Sequence, residues 1–116
     1  MKIKIKKHDI ELQYCMRMYL KYEERTGHGL TFDNMTSYTN VIELLYCAIA
    51  ATLEHKKYRK LGLTLTWDEF LDWTDEQNNN KVMNDFNQWL LNVIQSQQDQ
   101  TGEDEEQQSS DERDPN

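Results

Sequence analysis

The chain has 116 residues, 37% of them hydrophobic, and a formal net charge of −8. That length suits one domain; the composition lacks both the roughly 20-residue apolar stretch of a membrane-spanning helix and the basic footprint of a nucleic-acid binder. The charge is uneven: residues 1–62 hold eleven Lys/Arg against seven Asp/Glu, a balance of +4, and residues 63–116 hold two against fourteen, a balance of −12.

At the N-terminus Ile3 and Ile5 alternate with Lys2, Lys4 and Lys6, a period of two that predicts a short strand. Lys7-His8-Asp9 is the expected turn, and Ile10 and Leu12 resume the alternation within residues 2–13. Ile10, Tyr14, Met18 and Tyr22 also recur every fourth residue, so a helix starting at Asp9 is the alternative to this favoured hairpin. The basic opening segment is followed by no apolar core of signal-peptide length, and Cys15 and Cys47 sit singly in apolar-patterned segments. Both features predict a reducing, cytosolic setting with free core thiols.

Four helices are expected, near 14–26, 38–58, 67–76 and 80–97. In the first, Cys15, Met18, Tyr19 and Tyr22 form the apolar stripe, Leu20 borders it, and Gly27 is the stop. The second starts within 36–40, with Ser37 and Asn40 as rival caps, and is apolar at 41, 42, 44, 45, 48, 49 and 53. Cations of residues 55–60 are expected to complement its C-terminal dipole, with Gly62 after them. Thr66-Trp67-Asp68-Glu69 reads as a capping box opening the third helix. Val82, Met83, Phe86, Trp89, Leu90, Val93 and Ile94 trace one face of the fourth. After residue 98 no aliphatic or aromatic side chain occurs, and 99–116 are expected to be a disordered acidic tail. The expected fold class is therefore mainly α: a single domain over 1–98, a small bundle of about four helices with an N-terminal β-hairpin.

Chemistry is harder to place. His8, His28 and His55 have no Cys or His at metal-ligand spacing, and neither cysteine belongs to a CxxC pattern. No phosphate loop or calcium loop is present. The acids of residues 68–76 fit a helix start and a polar face better than an acid–base pair. We therefore expect no catalytic residue, metal or cofactor. Aromatic residues are the remaining signal. They fill cores and anchor interfaces alike, and an exposed aromatic patch is expected on at least one helix.

The segment 14–27, YCMRMYLKYEERTG, resembles the opening of the tail assembly chaperones of long-tailed bacteriophages, where an aromatic-faced helix runs into Glu-Glu-x-Thr-Gly. Val41-Ile42-Glu43-Leu44-Leu45-Tyr46-Cys47-Ala48 is similar to the central helix of that family, and Leu63-Thr64-Leu65-Thr66-Trp67-Asp68-Glu69-Phe70 with Leu71-Asp72-Trp73 to its capped acidic helix. The likeness covers roughly 3–98 in order; His28-Gly29 departs from the usual Lys-Ser. It implies a non-structural protein of the host cytoplasm, absent from the mature virion. Such a protein coats the tape-measure protein and hands it to tail-tube subunits, and many are also made in a longer, frameshifted form. Neither nucleic acid nor membrane is implied as partner, and homo-oligomerisation is left open. Helix-in-groove packing makes Met18, Tyr22, Trp73 and Trp89 the candidate partner-binding residues. A small acidic regulatory or inhibitor protein, such as an antitoxin or host-takeover factor, is the alternative reading.

Overall fold

The computed structural model describes residues 1–31 and 36–103. Its elements are β1 (Lys2–Ile5), β2 (His8–Glu11), α1 (Met16–Thr26), α2 (Tyr38–Glu54), α3 (Trp67–Glu76) and α4 (Asn79–Glu103), with a 3-10 turn at Arg59–Leu61. The fold is mainly α, four helices and a two-stranded antiparallel hairpin, as the periodicities predict. Two compact units are distinguished, Met1–Asp85 and Phe86–Asn116. The first holds the hairpin, α1 to α3 and the start of α4.

The hairpin turns one residue earlier than expected. Ile5 pairs with His8, so Lys6 and Lys7 are the two central residues, both at positive φ (48° and 73°). That is the backbone of a type I′ turn, which matches strand twist and normally selects Asn-Gly. A hairpin this short is marginal alone, and side chains from the helical part hold both its edges. Trp73 donates its indole N–H to the Lys4 carbonyl at 2.9 Å, and the Glu11 N–H donates to the Tyr58 hydroxyl at 2.8 Å. The Gln13 N–H donates to Thr52 Oγ1, which in turn donates to the Ala48 carbonyl. This chain of bonds satisfies the buried Thr52 hydroxyl.

Helix α1 begins at Met16 behind Cys15, an N-cap whose side chain makes no capping bond. It stops where Gly27 adopts φ 82° and returns its N–H to the Glu23 carbonyl, a conformation costly for a residue with a Cβ. Ser37 is the cap of α2, accepting from the Asn40 N–H at 3.4 Å. Leu44, Leu45, Ala48, Ile49 and Ala51 of α2 are fully buried, as expected of a central helix. However, α2 ends at Glu54, not near residue 58. His55 is its extended C-cap, and the cationic stretch becomes a turn and then the 3-10 segment closed by Gly62. The cations thus lie on a separate peptide, off the helix axis they were expected to extend.

The α1 C-terminus is fastened to α2 and to Trp67, the first residue of α3. Arg25 pairs with Glu43, and its guanidinium lies 4.2 Å from the Trp67 ring centre and 4.8 Å from that of Tyr46. Tyr46 in turn donates its hydroxyl to the Leu65 carbonyl at 2.8 Å. The capping box of α3 is complete: the Glu69 N–H donates to Thr66 Oγ1 at 3.1 Å, and the Thr66 N–H to Glu69 Oε1 at 2.8 Å. That backbone donor, helped by Lys6 at 3.2 Å, holds the Glu69 carboxyl below its ordinary pKa.

In the second unit, Phe86 and Leu90 are fully buried and Trp89 stacks on Phe86, ring centres 5.8 Å apart. Helix α4 continues to Glu103, beyond the end expected near residue 97. Gln, Ser and Asp do not break a helix already propagating, and the first strong breaker is Gly102. The rest of the expected tail, 104–116, lies outside the described residues.

Candidate protein-docking site

Three of the four residues expected to meet a partner are core. Met18 and Tyr22 are 0% exposed and Trp73 8%; Trp89 is half-buried. They correct the expectation for a physical reason: the same apolar stripe that marks a binding helix also marks a helix that must bury one face, and here burial claims it. The expected aromatic patch is likewise reduced. Among the described residues Tyr38 is the one exposed aromatic side chain; the other large exposed groups are Met16, Leu20, Leu61, Leu71 and Leu91.

Met16 and Leu20 stand 70% and 58% exposed, one turn apart on α1. Met18 and Tyr22 point to the core, and a residue two positions away lies about 200° round the helix, so the outward pair is fixed by the inward one. Met16 and Leu20 line a groove of about 350 Å³ together with Cys15, Arg17, His55, Lys56 and Arg59. One wall is the first turn of α1, the other the segment that follows α2. The early end of α2 makes this wall, since a continuing helix would carry Lys56 and Arg59 elsewhere.

Charge in the groove runs against that of the chain. Glu54 is shared by Arg17, at 3.9 Å, and Lys21, at 2.7 Å. Arg17 also donates to the Glu54 carbonyl. Among the described residues neither Lys56 nor Arg59 has a carboxylate within 4.0 Å. The α1 N-terminus adds its positive dipole end, with no acidic residue in its first turn.

Two other depressions are less suited to a charged partner. A cleft of about 660 Å³ beside the hairpin mixes both signs of charge: Lys4 faces Asp9 at 3.7 Å, Glu11 meets the Met1 ammonium at 2.8 Å, and Lys2 and Lys57 complete its charged lining. The contact with the Met1 ammonium lowers the Glu11 pKa. A shallow groove of about 180 Å³ lies among Tyr38, Ile42, Leu71, Thr74, Val82 and Met83. It is apolar but has no cation in its lining.

Among the described residues no group of three or more His, Cys, Asp or Glu could hold a metal ion, and no helix is long and apolar enough to cross a membrane. Both cysteines are free. Burial pushes the Cys47 thiol up to about 11, with Glu43 adding to the shift. No protein-family model, curated protein or solved structure matches the chain.

The sequence did carry a signal for the groove. Leu20 falls at the border of the core stripe and Met16 lies one turn before it, so the pair is apolar but out of phase with Met18 and Tyr22. The cationic residues 55–60 are visible in the sequence too, but local pattern alone places them at a helix end.

Proposed function

We propose that the chain is a protein-binding assembly factor, a phage tail assembly chaperone that holds the tape-measure protein before tail formation and passes it to tail-tube subunits. The observation that carries the protein-binding part is the exposure of Met16 and Leu20 beside Lys56 and Arg59, cations with no carboxylate partner among the described residues. Exposed apolar groups rimmed by charge suit a helical client, whose own apolar face would otherwise aggregate. The order of motifs over 3–98 supplies the identity of the client. On this reading the protein acts in the host cytoplasm and is absent from the finished virion, and its net charge of −8 helps keep a loaded complex in solution.

Co-expression with a long, coiled-coil-rich phage tape-measure protein tests the proposal. The long protein should move into the soluble fraction and co-purify with this chain. A long protein that aggregates equally with and without it overturns the reading.

A further inference from the structure

We infer that the groove between the first turn of α1 and residues 55–59 is a docking site for an acidic amphipathic helix of a partner protein. The inference rests on the protein-binding reading above and deepens it, giving the groove that carries that reading an occupant of stated chemistry.

The apolar part of the site has helical spacing. Met16 and Leu20, 70% and 58% exposed, form an i, i+4 ridge. Such a ridge interdigitates with apolar side chains spaced three or four apart on a second helix. The unbranched thioether of Met16 can follow the shape of its neighbour. An extended strand would place successive side chains on opposite faces and leave half of them without a partner.

The charged part of the site selects the flanks. Glu54 answers Arg17 and Lys21, while among the described residues Lys56 and Arg59, which line the groove with Arg17, have no carboxylate within 4.0 Å. The α1 N-terminus, without a side-chain cap or an acidic first turn, is a further acceptor of negative charge. Carboxylates placed beside the partner's apolar stripe would meet Lys56 and Arg59. They would also approach the helix end.

Other anionic partners fit less well. A nucleic-acid backbone presents a long run of phosphates, whereas this site offers few cations and two exposed apolar side chains with no role there. An anionic membrane would repel a chain of net charge −8, and two side chains are a small anchor for a bilayer.

The test uses the full chain and two synthetic helical peptides of about 15 residues, a length at which helices become viable. Both carry Leu at i, i+4 spacing; one is flanked by Glu, the other by Lys. The acidic peptide should bind at least ~10-fold more tightly, and more weakly as salt is raised. Leu20→Asp and the pair Lys56→Glu/Arg59→Glu should each weaken it by at least ~10-fold, whereas Leu71→Ser, in the other groove, should not. All these positions are exposed, so circular dichroism should show unchanged helix content. Bound peptide should also slow alkylation of Cys15, which lines the groove, with buried Cys47 as the unreactive internal reference.

Equal binding of the two peptides, no binding of either, or an unprotected Cys15 would overturn the inference. So would duplex DNA or phosphatidylserine vesicles binding in place of the acidic peptide, or self-association abolished by Leu20→Asp. Failure of the client reading is distinguishable. A tape-measure protein kept soluble equally by wild type and Leu20→Asp removes the groove and leaves the chaperone. Acidic peptide captured by a chain that cannot hold the tape-measure protein does the reverse.

Discussion

Along α1, two apolar pairs of the same spacing meet opposite fates. Met18 and Tyr22 are wholly buried, whereas Met16 and Leu20 stand mostly in water. Hydrophobicity alone does not separate the pairs; phase does. A helix of this length turns one stripe toward α2 and the core, and whatever lies about 200° away is presented outward. The outward pair therefore contributes little to folding and is free to serve binding.

Truncation on the two faces should separate these roles most sharply. Met18→Ala should lower unfolding free energy by about 2–5 kcal/mol, the range for buried large-to-small changes, while Met16→Ala should move it by less than ~0.5 kcal/mol. Urea titration monitored by circular dichroism measures both. Equal effects would mean that the faces do not differ in folding.

A smaller effect is expected at the rim of α1. Arg25→Ala removes the stack on Trp67 and Tyr46 and the pairing with Glu43, and should cost about 1–2 kcal/mol in the same titration. Arg25→Lys should recover only part of it, because an ammonium lacks the planar face that stacks.

The smallest effect probes a flaw in the buried face. Among the described residues the Tyr22 hydroxyl is buried without a hydrogen-bond partner, so Tyr22→Phe should be neutral or stabilising by up to about 1 kcal/mol. It should also change the alkaline limb. Burial raises the Tyr22 pKa above its ordinary 10, as it raises that of Cys47. The unfolded chain then loses these protons first, so stability present at neutral pH declines as pH climbs through and above about 9–10. Removing the Tyr22 phenol should flatten that decline, which thermal unfolding between neutral and alkaline pH would show.

Much of the fold was legible because its signals are local. The Thr66–Glu69 capping box, the Gly27 stop and the Ile/Lys alternation each act within a few residues, and each appears where expected. The hairpin turn and the end of α2 were displaced because neighbours outvoted local preference. Ile5–His8 pairing placed two lysines at positive φ. Tyr58, meanwhile, is engaged by the Glu11 N–H on the hairpin edge.

For the site the division is different. The sequence by itself determined that α1 has an apolar stripe, that residues 55–60 are cationic and that the acids gather beyond residue 62. Only tertiary structure decided which apolar side chains remain in water and which cations come beside them. In the sequence the stripe of Met18 and Tyr22 looks the same as a surface for a partner, because periodicity reports that a face will be covered, not by what. Covering by the rest of the chain and covering by another protein satisfy the same hydrophobic requirement. The choice between them depends on long-range packing, which no window of a few residues contains.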